Sequence, residues 1–550
     1  MKKYVKEWFL LLLIVVVGAY LRLDRITSIP PSLSHDETAI AYNAYSILTT
    51  GKDEYGISYP LLFRSFDDYK LPGMVYATVP WVKLFGLTER AARTPSALFG
   101  ILSVIVMYGI AFELTKSRKA ALFPALMFAL SPWHINFSRQ LFESNGAVFW
   151  FMAGTYFLLK SIKKYPMIIV SGICYVAALY FYYSVRLVIP FIGLLYLVMH
   201  GKTMKTHIKT TAVAVILSIA LFAPLGREML SPGGMERISI VSVVNDQQYL
   251  KRKEAYVAKM GVSPTVWQKI VYNRRVALLV TVLENYSKNI SPQNLFMTGT
   301  GTYGALYPFE AILFPLGLVA LSGFSRFGGM LVLVWLITAF LPGAFSVNQP
   351  NTLRTLVAAP AFSLLSGLGI LYALRAVRKN FAPWGVTVAA GVLMFLFISS
   401  FPKFHYAYFV DNPTNNALAF GDGYKQMVEY VMRNGKDYDR IYISGYHWRP
   451  YIFLLYWGKV NPAIYQRSGT REQFGKYLFS GASWDTNGLK FMDASFSLSS
   501  LPREGKTLYI LAYSEYLLHQ KELTVIGEIH GVHTPKVFVA ATLSQPQPVR

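Results

Sequence analysis

The chain has 550 residues, of which 53% are hydrophobic, 15% aromatic and only 15% charged, with a formal net charge of +24. That balance is too apolar for a soluble domain of this length and gives a polytopic α-helical membrane protein. A nucleic-acid partner would need the basic residues gathered on one soluble module. Many of them instead sit in short clusters between apolar runs, so no nucleic acid is expected.

The N-terminal stretch MKKYVKEWFLLLLIVVVGAY reads as an uncleaved first span in preference to a signal peptide ending at Val17-Gly18-Ala19. In both readings the chain emerges outside. PPSLSHDETAIAYNA follows, with His35, Asp36 and Glu37 side by side. Locally this is a helix start near Thr38 with Asp36 as its cap. Just outside a membrane, adjacent acids also suit general-base work or a divalent cation, because a carboxylate beside low-dielectric surroundings is costly unless it binds something.

Apolar runs long enough to span occur near 8–24, 93–114, 119–135, 145–161, 166–183, 187–200, 211–226, 306–323, 328–346, 356–376 and 383–401, about eleven in all. The run at 72–87, PGMVYATVPWVKLFGL, is short and carries Pro80 and Lys83. Lys and Arg cluster at the N-terminus, at 115–119, 160–164, 200–209, 325–326 and 375–380. The positive-inside rule puts all of these in the cytoplasm only if 72–87 does not cross. That run is therefore expected to be a re-entrant or interfacial helix within one external loop, 25–90. By the same parity 132–144, 184–186, 227–305, 347–355 and everything after 402 face outward. Cys174 lies inside an apolar run and is expected to be a buried small hydrophobe. The tail, 402–550, changes character. An amphipathic helix at about 422–434, a strand after it, and the runs YIFLLYW, TLYILAY and KVFVAATL give a small extracytoplasmic α/β domain.

The second external loop, SPWHINFSRQLFESNGAVFW, supplies His134, Arg139 and Glu143. Arg139 and Glu143 are four apart and are expected to share a helix face, either as an ion pair or with Glu143 as a second acid facing Asp36. Lys70 in DDYKLPG and Arg354 in NTLRTLVAAP are cations on the same outer surface. They either snorkel to lipid headgroups or hold a phosphate, and Arg186 shares that ambiguity. GTGTYG at 299–304 follows no clear strand and is not read as a dinucleotide site. Asn136, Asn285 and Asn289 head N-x-S sequons that decide nothing without a source organism. There is no P-loop, HExxH or G-x-S-x-G.

HDETAIAYNA, YKLPGMVYATVPWVKLFG, RTPSALFGILSVIVMYGIA, SPWHINFSRQLFESNGA and NTLRTLVAAP occur in that order over roughly residues 1–400. In this the chain resembles the GT-C membrane glycosyltransferases, in the branch of protein O-mannosyltransferases and the lipid A aminoarabinose transferase. The resemblance implies inverting transfer of a hexosyl or pentosyl group from a polyprenyl-phosphate carrier to a protein, lipid or glycan acceptor outside the cytoplasmic membrane. It implies Asp36, with Glu37 beside it, as catalytic base or acceptor-orienting acid, and Glu143 at the place of a second acid that is often Asp. Lys70 and Arg354 match carrier-phosphate positions, and Arg139 is grouped with them. Some members bind a divalent cation, toward which His35 or His134 would contribute. The tail lies outside the motifs that carry the resemblance.

Inverting transfer needs a base near the acceptor and cations for the departing phosphate, which these residue types supply. A flippase or transporter of polyprenyl-linked glycans is the competing class. It calls for ionisable residues in mid-span and inverted repeats of broken helices, whereas the candidates here sit at span ends on one face. A ligase or polymerase of such glycans would use outer arginines and a histidine without Asp36.

Overall fold

The computed structural model describes residues 5–480 apart from 67, 262, 302, 382 and 446–448, and then 483–485, 488–490 and 505–544. Lys2 and Lys3 of the N-terminal cluster, Thr302 of GTGTYG and parts of the tail lie outside the described residues. Each of the eleven apolar runs forms helix. Among the described residues six helices are long and apolar enough to cross a membrane: Glu89–Thr115, Tyr183–Thr206, Ile208–Met229, Arg326–Ala344, Leu356–Asn380 and Trp384–Asn415. A seventh is formed if Arg118–Ala129 and Pro132–Ser138, bent by 59°, count as one span. The bend has a local cause, because Ser131 caps the second helix and Pro132 starts it, which breaks the hydrogen-bond ladder of the first.

The remaining four runs fall short for identifiable reasons. Met167–Phe181 and Glu310–Gly323 are short, Val5–Leu23 carries Lys6, Glu7 and Arg22, and Glu143–Ser161 opens on the polar sequence ESNG. The 14-residue helix Pro72–Phe85 is only about 21 Å long, less than a bilayer core.

The chain forms two compact units, Met1–Asp24 with Ser96–Tyr408, and Arg25–Pro95 with Phe409–Arg550. In the first unit the helix Ala359–Asn380 lies directly on the backbones of its neighbours. A Cβ on Gly369 would sit 1.9 Å from the carbonyl oxygen of Leu313, and one on Gly367 2.3 Å from the Pro124 nitrogen. Small residues in SGLG permit this approach, as they do between membrane helices generally.

The second unit is built on a six-stranded mixed sheet. Its strands are numbered after a hairpin from the first loop, β1 (Phe63–Ser65) and β2 (Asp68–Lys70). They are β3 (Arg440–Ile443), β4 (Gln473–Phe474), β5 (Tyr477–Phe479), β8 (Thr507–Ala512), β9 (Leu523–Ile529) and β10 (Phe538–Leu543), while β6 (Ser483–Asp485) and β7 (Gly488–Lys490) pair separately. The sheet order is β4-β5-β3-β8-β10-β9, with β5, β3 and β8 parallel. All six residues of β8 are buried, which is why TLYILA reads as a continuous apolar run. The amphipathic helix Tyr424–Asn434 packs on this sheet, its entry fixed by Asp422, whose carboxylate accepts from the backbone N–H groups of Val532, His533 and Thr534 at 2.7–2.9 Å.

The first loop folds with the tail inside this unit. Gln466 Nε2 donates to Ser46 Oγ, Thr50 Oγ1 and the Asp53 carbonyl, and the Tyr42 hydroxyl donates to the Val460 carbonyl. The helix His35–Thr50 is thereby held against the helices Pro450–Trp457 and Pro462–Ser468.

Candidate active site

The helix expected near Thr38 begins three residues earlier, at His35, and its cap is Ser34 rather than Asp36. Ser34 Oγ accepts from the Glu37 N–H and Glu37 Oε2 accepts from the Ser34 N–H, a reciprocal capping box. Asp36 therefore stands in the first turn, where helix-dipole charge favours a carboxylate.

Lys70 reaches Asp36 from the end of β2. The hairpin pairs Phe63 with Lys70 and Ser65 with Asp68, and Leu71-Pro72 then start the next helix, which fixes where the lysine leaves the strand. Lys70 Nζ lies 2.7 Å from Asp36 Oδ1; the lysine side chain is 9% exposed and the aspartate 34%. The pair is thus accessible from the carboxylate side. His35 Nε2 is 3.8 Å from the same oxygen. Burial lowers the His35 pKa, opposed by the charge of Asp36 and reinforced by Lys70 and Arg449, so the imidazole is neutral at neutral pH. Its ring centroid lies 5.2 Å from that of Phe66, and the Arg449 guanidinium lies 5.3 Å from the same Phe66 ring. Phe66 holds φ +62° in the hairpin turn, a conformation rare for a bulky residue and often found where a site imposes it.

Glu37 is fully buried with Arg93. Arg93 Nε donates to Glu37 Oε1 at 3.0 Å and Nη2 to Oε2 at 3.4 Å, while its Nη groups also donate to the carbonyls of Ile26, Pro30 and Ser32. One guanidinium ties the incoming segment to the first helical turn. Both Glu37 oxygens are engaged by Arg93, while its neighbour Asp36 remains partly exposed.

Another acid of the first loop, Glu54, carries no sequence signal of its own. Glu54 has no exposed surface, and neither of its carboxyl oxygens has a hydrogen-bond partner among the described residues. Burial, with the charge of Asp53 behind it, pushes its pKa up to about 8.

In the first unit, Arg139 and Glu143 do not share a helix as their spacing suggested. Arg139 closes the helix Pro132–Ser138, and Glu143 opens the next one after a break at 140–142. The Arg139 guanidinium reaches back to the end of Val5–Leu23, donating to the carbonyls of Leu21 at 2.9 Å and, just past that helix, Asp24 at 2.6 Å. His134 Nδ1 accepts from Arg22 Nη2 at 2.9 Å, deep in the same helix contact. Glu143 is buried at its helix N-terminus, and Arg354 is half-buried, with Nη1 donating to the Val347 carbonyl at 2.8 Å. The sequon asparagines Asn136, Asn285 and Asn289 are buried. GTGTYG follows a π-helical turn, Asn294–Thr298, with no strand before it. Among the described residues no group of three or more His, Cys, Asp or Glu side chains is placed to hold a metal ion.

Residues 72–226 match a family described as dolichyl-phosphate-mannose-protein mannosyltransferase. The structure of ArnT from Cupriavidus metallidurans bound to undecaprenyl phosphate superposes with a TM-score of 0.55 at 13% identity, over 98% of this chain and 99% of that one. The chain shares the GT-C membrane-glycosyltransferase fold of that protein. The apo state of the same ArnT gives 0.55 at 14% identity, over 97% of each chain. An archaeal oligosaccharyltransferase, AglB from Archaeoglobus fulgidus in complex with an inhibitory peptide and a dolichol-phosphate, gives 0.52 at 12% identity over 83% of this chain. The match spans 64% of that protein's length. No curated protein matches the sequence. As a GT-C fold the chain is a polytopic membrane protein with a small sheet-containing C-terminal part.

Proposed function

We infer that the protein transfers a sugar, with inversion, from a polyprenyl-phosphate carrier to an acceptor at the outer face of the cytoplasmic membrane. The observation that carries this reading is the 2.7 Å contact between Lys70 and a partly exposed Asp36 at the head of the first loop. The fold supports it, since the similar structures were solved with undecaprenyl phosphate and with a dolichol-phosphate.

Asp36 is the base. Its carboxylate takes the proton of the acceptor hydroxyl or amine as that atom bonds to the sugar C1. The bond from C1 to the phosphate oxygen breaks, and the carrier phosphate leaves with the electron pair. Lys70 and Arg354 neutralise that phosphate. A lysine paired to Asp36 weakens it as a base, so donor phosphate competing for Lys70 releases the carboxylate when the substrate is present. Glu143 is the second acid. Arg139 is assigned to holding the chain, because its Nη groups are committed to carbonyls.

The positive clusters between spans support a site, a 25–90 loop and a tail outside the cytoplasm. The test is purified protein with a panel of polyprenyl-phosphate hexoses and pentoses, reading free polyprenyl phosphate by mass spectrometry. Release by the wild type and its loss in Asp36→Asn are expected. No release from any donor overturns the reading.

A further inference from the structure

Within the first unit, the helix Glu143–Ser161 runs 19 residues, about 28 Å, away from Glu143. That is close to the thickness of a bilayer core, so its far end meets the opposite membrane interface. There the ends of Glu89–Thr115 and Glu143–Ser161, the segment 319–325 and the last turns of Ala359–Asn380 enclose a cavity of about 560 Å³. Its walls are mainly apolar, from Leu114, Leu159, Val319, Phe324 and Leu368, with the hydroxyls of Thr115, Ser322 and Ser325 among them. Its rim carries Lys116, Lys163 and Arg375 against a single acid, Glu113.

Charge on the rim is unbalanced. Glu113 is taken by Lys116 at 2.6 Å. Cations at helix C-termini ordinarily lean on the last carbonyls. Lys163 and Arg375 are exposed at the mouth and make neither an ion pair nor a side-chain hydrogen bond among the described residues. An apolar chamber with two uncompensated cations at its mouth, at the level where lipid phosphates lie, matches an amphipathic anion. Basic pockets between membrane helices take anionic headgroups in the same way.

We propose that this cavity seats an anionic phospholipid, its phosphate between Lys163 and Arg375 and its first acyl carbons against Leu114, Leu159 and Leu368. The chains leave past Ile162 and Val319, which are 45% and 51% exposed. The cavity lies at the end of Glu143–Ser161 opposite Glu143.

Native mass spectrometry on the delipidated full chain tests it, with equal amounts of palmitoyl-oleoyl phosphatidylglycerol and phosphatidylcholine as probes. The wild type is expected to retain phosphatidylglycerol about tenfold over phosphatidylcholine, and K163A/R375A to lose that preference. Leu114→Trp, which fills the chamber and keeps every charge, is expected to lose the bound lipid while unfolding at its usual temperature. Equal retention of the two lipids by the wild type overturns the proposal. So does an undiminished preference in the double variant, or displacement of phosphatidylglycerol by an equal concentration of inorganic phosphate, which would make the site a reader of free anions.

Discussion

Arg93 holds Glu37 through two charge-assisted hydrogen bonds in a place from which both side chains are excluded from water. The same guanidinium gathers three carbonyls of the segment 26–32. Asp36 is the residue immediately before Glu37, so the pair sets where the accessible carboxylate points. Removing only one partner leaves an uncompensated buried charge, a loss of about 3–5 kcal/mol. Arg93→Met should therefore lower the unfolding temperature sharply, and Arg93→Met/Glu37→Leu should recover most of it. Thermal unfolding in detergent reads both, and a double variant as unstable as the single one would show that the carbonyl contacts, not the ion pair, carry the energy.

The roles of Asp36 and the cations separate by measurement. Asp36→Asn keeps shape but cannot accept a proton, so turnover should vanish while carrier binding stays near wild type. Lys70→Ala and Arg354→Ala should each weaken carrier binding by about 10- to 150-fold, the worth of a charge-assisted contact of roughly 1.5–3 kcal/mol. Glu143→Gln should resemble Asp36→Asn. Isothermal binding of undecaprenyl phosphate, set beside turnover, distinguishes the two classes, and near-normal turnover in Asp36→Asn would return HDE to a purely structural helix start.

Glu54 predicts a pH dependence of stability. Its pKa rises from an ordinary 4.5 to about 8 on folding, so between those values the folded chain binds a proton that the unfolded chain has lost. Stability from this group is then present in full below about pH 4.5 and declines as pH rises toward 8, by about 1.4 kcal/mol per unit. Glu54→Gln removes the titration. The variant should gain on the wild type steadily from pH 5 to 8 in unfolding temperature, and parallel profiles would mean that the carboxyl is already paired.

How far the sequence carried this far depends on range. The apolar helices, the helix Tyr424–Asn434 and the strand at RIYI were legible because each is a local pattern of apolar residues with its own period or run length, whereas the run TLYILA alone fitted helix as well as strand. The motif order brought out Asp36 and Lys70, which the fold places 2.7 Å apart. Arg93 was hidden, although an arginine entering an apolar run near an unaccounted glutamate is a usable signal. Arg449 and Gln466 had none, because their contacts with the first loop depend on residues some 400 positions away. The Arg139–Glu143 spacing misled for the opposite reason. A four-residue interval implies a shared face only when the helix is continuous, and here one helix ends at Ser138 and the next starts at Glu143, while Arg139 is tied to the Leu21 and Asp24 carbonyls.

Topology is open to a direct check. The inference that the site faces outward rests on the clusters of Lys and Arg between spans and on Pro72–Phe85 not crossing. In a Cys174→Ala background, single cysteines at Ser58 and Asn415, both exposed in the second unit, should react with a membrane-impermeant maleimide in intact cells. A cysteine at Lys119, exposed at the start of the helix Arg118–Ala129, should react only after lysis. The comparison has internal discrimination. If Pro72–Phe85 does cross, Ser58 and Lys119 come to lie on the same side, and the two label together in intact cells or only together after lysis. Either pattern would put the Asp36–Lys70 pair and the charge clusters in conflict, and the outer-face assignment of the transfer reaction would have to be given up.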